Sequence, residues 1–334
     1  MHPVERSIRR AGMFLRRRDL LAEGHTDAGI RSALAQRRVF RVRHGWYSVP
    51  SAPDAAVRAV RIGGRLTGVS ALETYGLRVP RSERVHVAVP RTACRLRSPS
   101  DRRRRLGRDE AVHVHWIDKR QRHPSVWRVS IDEALRAIVE LAPRDIAVAC
   151  ASAVMHHKRW SAARLRAVFA GAPQRARCWL GLVSAADESH GETFVRLWLL
   201  DAGVAFEQQP KVAGVGRLDF RLSPHVYVEV DGAQHDPAWT GDSESSYESD
   251  HDRDARLAAQ HSRSLRFTYR QLYSTWPECL LAIETAVADD LELIARRLRD
   301  PSVPRALARL RNDRALRKRR NRSALSLRTG VPPP

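Results

Sequence analysis

A chain of 334 residues with 43% apolar content is long enough for two or three domains with ordinary cores. Its longest apolar run, near Ile146 to Met155, is too short to span a bilayer, and the opening Met1-His-Pro-Val-Glu-Arg has no apolar signal core. Four cysteines without C-x-x-C spacing argue against a zinc knuckle or a disulfide framework and fit a reducing cytoplasm, where a formal charge of +22 points to nucleic acid before membrane surface.

Residues 1–80 are expected to form a small helical unit with a hairpin. Arg18-Asp-Leu-Leu-Ala-Glu-Gly24 is a short helix closed by glycine, and Thr26 or Asp27 can cap the next helix, whose apolar side carries Ile30, Ala33 and Leu34. Val39-Phe-Arg-Val-Arg and Trp46-Tyr-Ser-Val flank His44-Gly45, a hairpin turn signal. Helix, turn, helix and hairpin in this order describe a winged helix-turn-helix. Arg31, Arg37, Arg38, Arg41 and Arg43 are its expected DNA contacts, with Arg16, Arg17 and Arg18 nearby. Double-stranded DNA is the expected partner.

The middle region, 81–186, is expected to be α+β and then helical. Its strand-like runs are Val85-His-Val-Ala-Val89, Val112-His-Val-His-Trp116 and Val126-Trp-Arg-Val129, with four arginines, Arg102 to Arg105, in the loop between the first two. Ser130-Ile-Asp-Glu133 is a capping box that opens a helix.

Acids concentrate next. From Asp187 to Asp254 the chain has 15 Asp/Glu against 5 Lys/Arg, a local −10. Gly216-Arg-Leu-Asp-Phe-Arg-Leu222 and Val226-Tyr-Val-Glu-Val-Asp231 alternate with period two around Ser223-Pro224-His225 and predict two paired strands. On the first, Leu218, Phe220 and Leu222 share a face and leave Asp219 on the other; on the second, Glu229 and Asp231 lie opposite Val226, Val228 and Val230. Pairing of the apolar faces brings three carboxylates to one surface, an arrangement that calls for a cation or an Arg between them. A polar face paired with arginines of the following helix is the alternative account. The 250–261 stretch reads as a helix, Leu265-Arg-Phe-Thr-Tyr as a strand, and 277–299 as a long amphipathic helix. Residues 300–334, rich in Arg and ending in Pro-Pro-Pro, read as a disordered basic tail.

Ser189-His-Gly-Glu192, Gly216-Arg-Leu-Asp219, Val228-Glu-Val-Asp-Gly232, His235, Asp250-x-Asp-Arg-Asp-x-Arg256-Leu257 and Leu265-Arg-Phe267 together resemble an endonuclease-like domain of unknown function (family number 559). That family is similar to the very-short-patch-repair endonucleases of the wider restriction-endonuclease fold. The first 80 residues resemble the winged-helix domain of AbiEi-type antitoxins of type IV toxin–antitoxin systems. The resemblance implies a multi-domain α/β protein with a restriction-endonuclease-like α/β domain at 187–299. It also implies a metal-dependent nuclease site, with Asp219 and Glu229 holding Mg²⁺ or Mn²⁺. Asp231 stands where the fold usually carries a lysine, Glu192 matches a helical glutamate, and His235 matches a histidine able to act as general base. Arg253 and Arg256 stand behind the site as charge-offsetting residues. The competing expectation is a non-enzymatic regulator or antitoxin with a decayed nuclease fold.

Overall fold

The computed structural model describes residues 1–108, 110–118, 125–231 and 252–298. The chain is a mixed α/β protein that divides into two compact units, Met1–His190 and Gly191–Pro334. His235, Gly232, Asp250 and the 300–334 tail lie outside the described residues.

The first unit begins with α1 (Pro3–Arg10), where the His2 ring accepts from the Val4 amide at 3.2 Å and Val4 and Ile8 bury one stripe. A strand, β1 (Phe14–Arg16), precedes α2 (Arg17–Ala22) and α3 (Asp27–Ala35). Gly24, at φ 86°, supplies the left-handed residue that ends α2, and the Thr26 hydroxyl accepts from Gly29 N at 3.1 Å to start α3. A hairpin follows, β2 (Phe40–Arg43) and β3 (Trp46–Ser48), turning at Gly45 with φ 71°. The sheet order is β1-β3-β2, all antiparallel. Leu20, Ile30, Val39 and Tyr47 close a small core with Val4 and Ile8, each burial contributing about 1.5–3 kcal/mol.

After α4 (Asp54–Ile62), β4 (Arg65–Leu66) and α5 (Gly68–Glu73), the chain forms a second sheet, β4-β5-β6, from β5 (Val85–Pro90) and β6 (Val112–Ile117). The expected strand at 126–129 is not one. Leu66 and Arg128 make an isolated bridge, in which Leu66 N donates to Trp127 O at 2.7 Å and Val129 N donates to Leu66 O at 2.9 Å, because the strand opposite, β4, is only two residues long. Helix α6 (Ile131–Leu141) opens on the expected capping box, and α7 (Arg144–Lys158), α8 (Ala162–Ala170) and α9 (Gln174–Arg177) follow. One apolar cluster runs from Phe14 and Val42 through Val60, Leu72 and Val87 to Leu135, Val154 and Phe169. The 1–80 and 81–186 segments therefore share a core.

The second unit opens with α10 (His190–Ala202). Short strands β7 (Glu207–Gln208), β8 (Lys211–Val212) and β9 (Gly216–Arg217) lead to β10 (Phe220–Ser223) and β11 (Val226–Asp231). A helix over 252–259, α11, leads to β12 (Arg263–Thr268), α12 (Tyr269–Ser274) and α13 (Trp276–Leu298). The sheet order is β12-β11-β10-β7, with β11 and β12 parallel and the other pairs antiparallel. Phe220 faces Val228 across the hairpin, so the apolar faces pair as the alternation requires.

The first of the two acidic strands departs from expectation. Gly216–Arg217 pairs with β8, and only Phe220–Ser223 joins the main sheet. The chain bends at Asp219, and Leu218 packs with Val215, Tyr227 and Leu257 instead of sharing the face of Phe220. A two-strand alternation cannot foresee that break.

Candidate functional site

Asp219 sits at the bend before β10, half-buried, and its Oδ2 accepts from Val230 N at 2.7 Å. The carboxylate thereby binds the backbone of the very segment that carries Glu229 and Asp231. Those two residues alternate with Val228 and Val230 on β11, as expected, and both are half-buried. The contact with that stretch is to the Val230 backbone amide, not to the Glu229 or Asp231 carboxylate.

What meets Glu229 is not an open surface. Its Oε2 accepts from Arg253 at 3.0 Å, and its Oε1 accepts from the Ser264 hydroxyl at 2.9 Å and lies 3.4 Å from the Arg266 guanidinium. Only 12% of the Glu229 side chain is exposed. Helix α11 lies on this face, since Leu257 packs on Tyr227, and Arg253 also donates to Arg217 O at 3.1 Å. Arg266 reaches Asp254 at 3.2 Å. Two guanidiniums thus stand between the acids of β11 and α11, the alternative that the charge pattern allowed. Arg256 works elsewhere: it donates to Gly214 O at 3.0 Å and ties α11 to the β8–β9 turn.

Glu192 is in the first turn of α10 and buried. A Cβ on Gly191 would stand 2.7 Å from Val230 Cγ1, so α10 lies against the Val230 side of the sheet, the face opposite to that of Glu229. The structure does not bring Glu192 and Glu229 to one face. Behind the hairpin turn, buried Asp290 of α13 accepts from Ser223 Oγ at 2.6 Å and His225 N at 3.2 Å, and its Oδ1 lies 2.9 Å from His225 Nδ1.

Among the described residues no group of three or more His, Cys, Asp or Glu is placed to hold a metal ion. The Mg²⁺ or Mn²⁺ that the fold resemblance implies needs hard oxygens facing a cation. As arranged, Glu229 spends both oxygens on Arg253, Arg266 and Ser264, so this donor set does not fit the ion.

The basic residues of the first unit are arranged differently. Arg31, on α3, Arg37 and Arg38, between α3 and the hairpin, and Arg41, on β2, are all exposed. Arg43 is half-buried and lies against Gly63, where an added Cβ would meet its Nη1 at 2.1 Å. Arg43 therefore packs on the end of α4. Arg41 lies over the Tyr47 ring, 5.7 Å from its centroid, which holds it on the hairpin surface. Beside the hairpin is a cavity of about 540 Å³ lined by Arg37, Arg41 and Arg102 above Leu34, Val39 and Phe40.

Sequence reasoning did not single out a histidine cluster on β5 and β6. His86 Nδ1 lies 3.0 Å from His115 Nε2, and the His113 ring stacks on His86 with centroids 5.1 Å apart. Burial, then the neighbouring rings, push His86 down to about 4 and His115 down to about 3. The signal was there in Val-His-Val and Val-His-Val-His, which put histidines on one face of adjacent strands. Arg266 and Ser264 were also missed as partners of Glu229; the parallel register that sets Glu229 beside Arg266 requires the sheet order.

No protein-family model and no curated protein matches this chain. Among solved structures, the RV2827C protein from Mycobacterium tuberculosis is similar at 15% identity and a TM-score of 0.30, over 63% of this chain and 83% of that one.

Proposed function

We propose that this chain binds duplex DNA through its N-terminal residues, with α3 as the recognition helix of a winged helix-turn-helix and β2–β3 as the wing. The observation that carries this reading is the order α1-β1-α2-α3-β2-β3 with sheet order β1-β3-β2, which leaves Arg31, Arg37, Arg38 and Arg41 exposed on one continuous stretch. An α helix of this kind enters the major groove while the flanking arginines neutralise phosphates. The +22 charge favours the same partner through counterion release. The test is fluorescence anisotropy of the full chain on labelled duplexes of mixed sequence. Salt-sensitive binding that falls when Arg31 and Arg37 are replaced by Ala supports the reading, and no affinity for any duplex removes it.

On this reading the second unit, a restriction-endonuclease-like arrangement, serves a regulator of the antitoxin kind. Its Glu229 is neutralised by arginines and holds α11 to the sheet. Cleavage remains the second reading because Asp219 lies against the Glu229–Asp231 segment, as a nuclease site requires. Plasmid nicking with Mg²⁺ and with Mn²⁺, wild type beside Asp219→Ala, separates the two. Metal-dependent nicking lost in Asp219→Ala establishes the nuclease, and its absence on plain, nicked and mismatched DNA leaves the regulator.

A further inference from the structure

The four-arginine loop takes on a shape in the fold that its sequence did not disclose. Leu96 to Leu106 is a closed hairpin: Arg97 bridges Arg105, and Ser98 N and Leu106 N donate to Arg104 O and Leu96 O at 3.0 and 3.2 Å. Ser98 is fully buried, and its hydroxyl donates to Glu110 Oε2 at 2.8 Å. Arg104 turns inward to complete that network, reaching Glu110 Oε1 at 3.1 Å. The hairpin is then bolted to the wing. Arg61 of α4 donates to Pro99 O at 2.5 Å, to Ser100 O at 3.3 Å and to Val42 O of β2 at 3.4 Å, and burial lowers its pKa. One half-buried guanidinium thus fixes the arginine hairpin against the strand that carries Arg41.

The consequence is the cavity of about 540 Å³, whose charged walls are Arg37 and Arg41 on the wing side and Arg102 on the hairpin side, over an apolar floor, with no carboxylate among its lining residues. Among the described residues the Arg102 side chain makes no hydrogen bond or ion pair, and it repels Arg61. Holding three like charges around one cleft is unfavourable unless an anion lies between them. A phosphodiester, with its charge spread over two oxygens and an apolar sugar beside it, matches both the guanidiniums and the floor.

We propose that this cavity is a backbone clamp: a DNA phosphate is held between Arg37 before the wing, Arg41 of the wing and Arg102 of the hairpin. The hairpin is then a second, sequence-independent grip beside the recognition helix. The proposal rests on the DNA-binding reading and adds the part of the protein that reading does not use.

The test is anisotropy of the full chain on a mixed-sequence duplex across a salt series, with Arg102→Ala and Arg102→Glu beside wild type. Because Arg102 makes no hydrogen bond or ion pair among the described residues and repels Arg61, neither variant should melt below wild type. Losing one phosphate contact should lower the slope of log affinity against log salt by about 0.9 and weaken binding near 0.1 M salt by about tenfold, equally on unrelated sequences; Arg102→Glu should lose more. Wild-type affinity and slope in Arg102→Glu would overturn the clamp and leave the DNA reading standing. A loss confined to one sequence would overturn it too, since a phosphate grip is blind to bases. Wild-type protein that binds no duplex removes the DNA reading itself, and the clamp with it.

Discussion

Glu229 is where the two accounts of the second unit make opposite demands on one side chain. A carboxylate held for a metal, without it, is repelled by neighbouring acids, so Glu229→Gln should stabilise the protein. A carboxylate that bridges Arg253 and Arg266 does the reverse, because neutralising it leaves two half-buried guanidiniums facing each other. With the arginines 26% and 24% exposed, the loss is on the order of 2 kcal/mol, after solvent screening. Thermal melts of metal-free Glu229→Gln should show a transition lowered by several degrees; an unchanged or raised one would place Glu229 with the nuclease account. A second residue-scale expectation concerns His86 and His115. Their folded pKa values, about 4 and about 3, lie below the ordinary value of 6.5, so the unfolded chain takes up protons first as pH falls. The stability they confer is complete above pH 6.5 and is lost as pH falls toward about 4. Urea unfolding of wild type should weaken over that window, and His115→Gln should flatten the dependence. An equally steep curve in that variant would show that other groups titrate.

At the scale of elements, what was legible followed local rules. The glycine stop at Gly24, the Thr26 cap, the His44-Gly45 turn, the Ser130–Glu133 box and the β10–β11 pairing each depend on residues close in the chain. What was not legible depends on partners far along it. The 126–129 run alternates like a strand, yet it finds only the two-residue β4 to pair with and makes a single bridge, Leu66 to Arg128. Leu218 alternates with Phe220, yet the bend at Asp219 sends it to Tyr227 and Leu257. Gly191 is a further case: read locally, it sits inside a capping box and costs helix propensity. In the fold it is the point where α10 touches the sheet, and a Cβ there would meet the Tyr269 ring at 2.2 Å as well as Val230 at 2.7 Å. Gly191→Ala must therefore push α10 away from β11, despite alanine's better helix propensity, at a net cost of about 1–3 kcal/mol. A melting temperature equal to or above wild type would show that α10 docks without that close approach.

At the scale of the whole molecule, charge is unevenly divided along the chain, and the division bears on how the proposed DNA binding would be shared among its parts. The acidic stretch from Asp187 to Asp254 carries −10 of formal charge, so the +22 total is supplied by what flanks it. Residues 301–334 alone contribute ten Arg/Lys against one Asp, a net +9 in about a tenth of the chain. On the proposed reading a segment of this composition adds to DNA affinity through its charge density. The exposed arginines around α3 and the hairpin, by contrast, stand on folded elements and on the proposed reading meet phosphates at set positions. Removing residues 301–334 should therefore lower overall affinity and make the log affinity–log salt line less steep by about 0.9 for each phosphate contact given up. The ratio of affinities between a preferred and an unrelated duplex should not change, because on the proposed reading base contacts belong to α3. Anisotropy titrations of the full and shortened chains between ~50 and ~200 mM salt measure both quantities. A shortened chain with the full slope would place the electrostatic grip wholly on the first unit, and one that loses discrimination between duplexes would place base readout in the last 34 residues.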